Sequence, residues 1–335
     1  MPVDVTIPVQ ELTDVASARR EALEVARLAG LDQNAAGAVG IVVTEAATNL
    51  LKHGGGGDLI ARQLRGGEHP VLEIVAMDRG QGMADTARCS EDGYSTAGSP
   101  GNGLGAIARL SLFHHIYSLP GSGTVLVAHV GKHFSPPDFV QVGALSLPYP
   151  GEPVCGDAWG VHTSPRRCRL VVADGLGHGL LASEAARAAV GLMTDDRATS
   201  ALLLMDAMHQ RLRPTRGAAV AIADIDFAAD ELSFTAIGNI AGCIVHPLNA
   251  RRQMISMNGT VGHQMHTPRT YTYPLPPGSL VILHSDGLST HWSLDKYPGL
   301  LGCGASVIAA VLMRDFRRTR DDATVVVVRA AEPSS

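Results

Sequence analysis

The stretch VVADGLGHG, Val171 to Gly179, decides the fold of the second half of this 335-residue chain. An apolar run from Cys168 to Ala173 reads as a buried strand that halts at Asp174. The glycines behind it turn the backbone into a helical pattern from Leu180 to Met193. The same grammar recurs on either side: Asp157 in CGDAWG, Asp286 in LHSDGLS, and the pair Asp321 and Asp322 in RDDATVVVV all stand where a strand-like run begins or ends. Further strand patterns lie at Ala218 to Ile225, Leu232 to Ile237, Leu280 to His284 and Thr324 to Arg329, with helical patterns at Ser200 to Leu212 and Ala305 to Phe316. Consecutive strands with inserted helices predict antiparallel sheets covered by helices rather than a doubly wound parallel sheet.

Carboxylates gathered at strand ends repel one another. Two of them about 4 Å apart cost roughly 4 kcal/mol at an effective dielectric near 20, so a convergent cluster points to a cation. A pair of divalent ions about 3.5–4 Å apart cancels that cost and activates a water for in-line attack on phosphorus. Oxygen donors alone favour manganese or magnesium over zinc. The glycine after Asp174 leaves a main-chain carbonyl, that of Gly175, open as a further ligand.

The first half carries a different set. A helical pattern from Val15 to Gly30 is followed by a second, from Asp32 as N-cap to His53 ahead of a glycine run. Strands are expected at Val71 to Met77, ending on Asp78, and at Thr124 to Val130. Glu45 and Asn49 stand four apart in TEAATN and share one helix face, where they can hold a magnesium-bound phosphate with a carboxylate beside it. DRGQGM supplies Asp78 to accept from an exocyclic amine, and Gly80 and Gly82 to let backbone approach a ring. GNGLG places Gly101, Gly103 and Gly105 at a helix start, whose free N–H groups and positive dipole end suit phosphates. Lys52 and Arg79 add charge near those phosphates or are solvated surface residues. His53, His114 and His115 read as ordinary satisfied histidines.

The order E-x-x-x-N, D-x-G-x-G, G-x-G-L-G resembles the GHKL ATPase superfamily and, within it, the anti-sigma and stressosome switch serine kinases of the RsbT/RsbW kind. That resemblance implies an α/β sandwich using ATP and Mg2+, with Glu45 as base for a substrate hydroxyl, Asn49 as magnesium ligand, Asp78 as adenine reader and the three glycines of GNGLG facing phosphate. A histidine kinase is disfavoured, because the segment ahead of Glu45 is too short for a dimerising hairpin with a phosphohistidine. The set D-x-W, ADGLGHG, SDGL, DDAT resembles the SpoIIE-type branch of the PPM protein phosphatases, RsbX-like. It implies a β-sandwich flanked by helices that hydrolyses phosphoserine or phosphothreonine with two Mn2+ or Mg2+. Asp174 would bridge both ions, while Gly175, Asp157, Asp286 and Asp321 complete the shells. Asp321 is preferred to Asp322 because the family's ligand is the first of the two. His178 either orients phosphate or water or packs at a helix start. Asn239 in GNIAG is expected to cap its turn. The chain departs from the larger eukaryotic members in having no arginine just upstream to clamp phosphate, since Arg166 and Arg167 fall on an expected turn.

The fold class is therefore α+β in two domains: an ATP-binding kinase domain over residues 1–133, a Pro-rich linker at 134–150 merging into a first strand, and a phosphatase domain over 138–332. A formal charge of -5 and scattered arginines give no footprint for nucleic acid or anionic membrane. The longest apolar run, Leu300 to Met313, reads as a buried helix too short to cross a bilayer. The N-terminus lacks the layout of a secretory signal, so a cytoplasmic setting is expected. Five cysteines without a C-x-x-C pair give neither a disulfide framework nor a thiolate zinc site. The expected activity is a bifunctional protein kinase and phosphatase acting on a STAS-type partner, with a sigma factor or another switch protein as further partner. The competing readings are a phosphatase whose first domain binds ATP or a partner without phosphoryl transfer, and a non-enzymatic switch.

Overall fold

The computed structural model describes residues 4–64, 69–84, 103–133, 140–193, 200–246 and 249–330. The chain divides into two compact units, Met1–Pro136 and Pro137–Ser335. No helix among the described residues is long and apolar enough to cross a membrane, and Cys155, Cys168, Cys243 and Cys303 are free thiols.

The first unit holds five strands, β1 (Asp4–Val9), β2 (Gly57–Leu64), β3 (Val71–Met77), β4 (Phe113–Ser118) and β5 (Thr124–Gly131), in the order β1-β2-β3-β5-β4. Every pairing is antiparallel. Helices α1 (Leu12–Ala29), α2 (Gln33–Asn49) and α3 (Gly103–Leu110) cover one face. The alanine-rich faces of α1 and α2, with Ala18, Ala22, Ala46 and Ala47 buried, let the helices approach closely over Leu59, Leu72, Ile74 and Ala128. Local sequence fixes the helix ends. The Asp14 carboxylate accepts from Gln10 N at 2.7 Å and Glu11 N at 2.9 Å, Asp32 Oδ1 accepts from Ala35 N at 2.8 Å, and Gly30 closes α1 in the left-handed conformation.

One expectation is corrected. The second helical pattern does not run regularly to His53: α2 ends at Asn49, and Leu50–Gly54 form a widened, π-helical turn. The turn brings Gly54 so close to Asp78 that a Cβ on Gly54 would sit 2.5 Å from the Asp78 Cβ. Only a residue without a side chain fits there.

The second unit is a sandwich of two five-stranded sheets. The first has the order β13-β10-β9-β8-β7, where β7 is Asp157–Ser164, β8 Arg167–Gly175, β9 Ala218–Asp226, β10 Glu231–Ile237 and β13 Thr270–Pro274. The other has the order β12-β11-β14-β15-β6, with β6 Val140–Leu147, β11 Ala241–His246, β12 Asn249–Gln253, β14 Leu280–His284 and β15 Ala323–Ala330. Leu170, Val172, Ala221 and Phe234 from one sheet meet Ala144, Val281, Leu283 and Val326 from the other in the shared core. Helices α4 (Leu180–Val190) and α5 (Ala201–Leu212) close the outer face of the first sheet over Val171, Ala173, Val220 and Ile222. Helix α6 (Ala305–Phe316) packs on β6 and β15, so the unit is layered α-β-β-α. The segment expected to be a linker contributes β6 as a full strand of the second sheet, paired along its whole length with β15.

On the face of the first unit's sheet opposite the helices, Glu73 is fully buried. It accepts from Arg62 Nε at 2.7 Å and lies 3.0 Å from His129 Nε2. Glu73→Ala removes the fully buried carboxylate that accepts from Arg62, and the expected loss is on the order of 3–5 kcal/mol in the unfolding of this unit. Glu73→Gln should lose less, because an amide still accepts from Arg62; chemical denaturation followed by a probe in the first unit measures both.

Candidate functional site

In the second unit, β7 and β8 pair so that Asp157 lies directly opposite Asp174. Two carboxyls thus open one strand and close its neighbour. Asp157 is buried, and its Oδ2 accepts from Ser285 Oγ at 2.7 Å. Ser285 Oγ in turn accepts from Thr324 N at 2.9 Å, so the end of β14 and the start of β15 on one sheet hold a carboxylate of the other. Asp286 follows, and its Oδ2 accepts from Asn239 Nδ2 at 2.7 Å. Asp321 precedes β15 and its Oδ1 accepts from Asp322 N at 3.0 Å.

The fields of these groups add. Burial first, then the charges of Asp157, Asp286 and Asp321, hold the Asp174 carboxyl well above the usual carboxylate range. Burial raises Asp157 as well, and burial followed by the charge of Asp286 raises Asp321. Asp174 thus lies in the field of Asp157, Asp286 and Asp321, and Asp321 in that of Asp286. Among the described residues no three of these side chains already converge on one point as a closed coordination shell. Yet Asp157 Oδ1 is buried without a hydrogen-bond partner, as is Asp322 Oδ2. Buried, oxygen-only, mutually repelling donors with an orphaned oxygen among them fit hard divalent cations.

Gly175 ends β8, and its Cα packs so tightly on the backbone of Ala182 in α4 that any Cβ would overlap it. The residue is needed there for packing alone, apart from any role of its carbonyl. Asp322 points inward: its Oδ1 accepts from Tyr149 N at 2.8 Å, while Oδ2 lies against Gly156. Asp321, by contrast, sits with Asp174 and Asp286. His178 Nδ1 is 2.7 Å from Glu152 Oε1, and its ring stacks on Tyr149 with centroids 4.5 Å apart. Asn239 differs from its expected role: it reaches across to Asp286 instead of capping its own turn. Ser285, Glu152 and Tyr149 escaped sequence reasoning, because a lone serine before an aspartate and a glutamate in a loop carry no periodic signal.

In the first unit the separate motifs meet. Glu45 and Asn49 lie near the end of α2, and a Cβ on Gly103, the first residue of α3, would stand 2.6 Å from Glu45 Oε2 and 4.0 Å from Asn49 Oδ1. Glycine at 103 is what allows a helix start to face that carboxylate and amide. Asp78 is buried at the end of β3, and its Oδ1 accepts from Gly80 N at 2.8 Å and Thr124 N at 3.2 Å. Gly82 adopts a positive φ of 66°, and Gly105 is buried on α3. Lys52 and Arg79 are exposed. Gly101 lies outside the described residues.

Comparison with known proteins divides the chain along the same motifs. Residues 164–331 match the family model of stage II sporulation protein E (SpoIIE), and residues 9–129 match the histidine kinase-like ATPase domain. The chain is similar to the phosphoserine phosphatase RsbX of Bacillus subtilis (strain 168), with 25% identity over 152 residues, 45% of this chain and 76% of the relative. It is also similar to the serine/threonine-protein kinase RsbT of the same organism, with 30% identity over 115 residues, 34% of this chain and 86% of the relative. A solved structure described under the bacterial stressosome as a modular system adapted to control secondary messenger signaling superposes with a TM-score of 0.53 and 27% identity, covering 57% of this chain and 99% of that one.

Ser285 joins the two sheets through one hydroxyl. Ser285→Ala leaves Thr324 N–H buried without its acceptor and Asp157 without its donor, an expected loss of about 1–3 kcal/mol. Thermal unfolding of the second unit should show it as a lowered midpoint, and Ser285→Thr should restore most of the loss.

Proposed function

Because the chain belongs to the SpoIIE phosphatase family and carries an N-terminal kinase-type ATPase domain of the RsbT/RsbW kind, we propose that it both writes and erases a serine or threonine phosphate on one STAS-type regulatory protein. The observation that carries the reading is the strand register that sets Asp157 opposite Asp174, with Asp286 and Asp321 in their field and one oxygen of Asp157 buried and unpartnered. In this reading residues 1–133 are the kinase domain and 138–332 the phosphatase domain, whose first strand grows out of the connecting segment 134–150.

In the phosphatase domain Asp174, Gly175 O, Asp157, Asp286 and Asp321 would hold two Mn2+ or Mg2+. When bound, the ions supply charge neutralisation and an activated water for attack on phosphorus. The chain's own residues prepare the site. Ser285 fixes one oxygen of Asp157 and leaves the other open, Asn239 fixes one oxygen of Asp286, and Asp322 anchors the turn at Tyr149 against the cluster. Leu176, Leu180 and Leu181, between 43% and 62% exposed, follow closely on Asp174 in the chain. That apolar rim supports a protein as substrate over a small phosphoester.

In the kinase domain Glu45 would take the proton from the attacking hydroxyl, Asn49 would hold Mg2+, and Asp78 would accept from the adenine amine. Gly80 and Gly82 leave the ring room to approach, while Gly101, Gly103 and Gly105 would face the phosphates with the N–H groups at the start of α3. The similarity to RsbT supports a STAS protein of a stressosome-type pathway as the acceptor.

Two measurements test the two halves. With Mn2+, the full chain should hydrolyse p-nitrophenyl phosphate and a phosphoserine-bearing STAS protein, and Asp174→Asn should lower kcat at least about 100-fold; equal activity in chelator removes the phosphatase assignment. Labelled ATP should transfer phosphate to the unmodified STAS protein in wild type and Asp174→Asn but not in Glu45→Ala. Tight ATP binding with no Glu45-dependent transfer leaves the first domain as a nucleotide-regulated binder instead.

A further inference from the structure

The phosphatase reading, on which this inference rests, leaves a charge problem. A phosphate monoester carries about two negative charges at neutral pH into a site built from carboxylates, and the arginine that would have compensated upstream of Asp157 is absent. The arginines near β7 and β8 are committed elsewhere. Arg166 donates to Phe227 O at 3.1 Å, and Arg167 and Arg169 pair with Asp226 and Asp224 at the end of β8 remote from Asp174. Arg317 Nη2 donates to Pro148 O at 2.6 Å, and Arg251 is spent on Trp292 O and Thr290 O.

Arg216 is different. It is exposed, and among the described residues it makes no hydrogen bond or ion pair, yet it does not extend into open solvent. Its Nη1 stands 2.9 Å from where a Cβ on Gly177 would be. Gly177, with φ at 89°, lies in the loop that leaves Asp174. A glycine there serves two ends: it tolerates the left-handed conformation, and it leaves space for a guanidinium over the backbone. The backbone beneath Arg216 is pinned on both sides. Thr215 Oγ1 donates to Leu212 O at 2.7 Å and accepts from Gly217 N at 3.0 Å, while Gly217 O accepts from Leu176 N at 3.1 Å. Ala218, next in sequence, pairs with Gly175 at the end of β8. The arginine is therefore carried by a rigid turn hydrogen-bonded to the very loop that follows the central aspartate.

We propose that Arg216 is the phosphate-binding residue of this site, reaching over Gly177 to hold two non-bridging oxygens of the substrate phosphoryl group while the carboxylate cluster works from the other side. The planar fork of a guanidinium matches a pair of phosphate oxygens, which an ammonium does not. Arg216 comes from the turn before β9, far in sequence from the upstream position that larger relatives of the fold use. Arg318, whose backbone N donates to Gly287 O at 2.8 Å, and Arg320, which precedes Asp321, are further exposed arginines near the cluster, and Arg318 is the one hydrogen-bonded through its backbone to the residue after Asp286. The field of its side chain falls on the buried His284, so it serves as the comparison.

The test uses the full chain with Mn2+, p-nitrophenyl phosphate as substrate and inorganic phosphate as product inhibitor. Arg216→Ala should raise KM and the inhibition constant for phosphate together, by about 10–100-fold, with kcat within about threefold of wild type. Arg216→Lys should recover only part of the loss, and Arg318→Ala should leave both constants unchanged. Thermal unfolding midpoints should coincide across the three variants. Unchanged KM and phosphate inhibition in Arg216→Ala overturn the proposal, as does a fall in kcat alone or a larger effect at Arg318. If the wild-type chain turns over no phosphoester with Mn2+, the phosphatase assignment itself fails, and this one with it.

Discussion

Carboxylates that cannot avoid one another organise the second unit. The antiparallel register of β7 and β8 sets Asp157 against Asp174, and the ends of β14 and β15 bring Asp286 and Asp321 into their field. Asp157, Asp174 and Asp321 are pushed up by burial and by their neighbours, which is the opposite of what stability alone would favour. A fold that keeps such a cluster holds it for something other than packing, and cations are the cheapest way to relieve it. Much of the surrounding hydrogen bonding follows from this. Ser285 and Asn239 each donate to one oxygen of one carboxylate, so the acids are aimed without being fully satisfied.

The sandwich is what makes that aiming possible. A single sheet could present Asp157 and Asp174 as cross-strand neighbours, but the hydroxyl that fixes Asp157 belongs to the other sheet. The Phe234, Val281 and Val326 core that locks the sheets together therefore also sets the site's geometry. The first unit solves a parallel problem with different means. There, the close approach of Gly103 to Glu45 and of Gly54 to Asp78 draws a helix start and a widened helical turn onto two carboxylates. Removing side chains, rather than adding hydrogen bonds, brings those parts together.

Legibility differed by element for identifiable reasons. The strands at Val71, Leu280 and Ala323 and the helices α1, α4, α5 and α6 were readable because each buries a continuous run or a single face. Edge or polar strands were not: β4 reads FHHIYS and β12 reads NARRQ, and their pairing depends on neighbours distant in the chain. The π-helical turn after Asn49 was likewise invisible, since Leu50 to His53 carry ordinary helix formers and only the packing of Gly54 on Asp78 reveals why the helix widens.

Sequence by itself determined the inventory. The aspartates at strand ends, the glycines behind them, and the E-x-x-x-N, D-x-G-x-G and G-x-G-L-G order are local, and each is set by what a strand terminus, a tight turn or a helix start demands of its own residues. Tertiary structure alone decided which of these groups face one another and what holds them. Asp322 turns to Tyr149 while Asp321 stays with Asp286, Asn239 leaves its turn for Asp286, and Arg216 lies over Gly177. Those choices depend on strand register and on the distance between packed sheets. Both are settled by burying apolar surface from segments more than a hundred residues apart, and no local pattern encodes them.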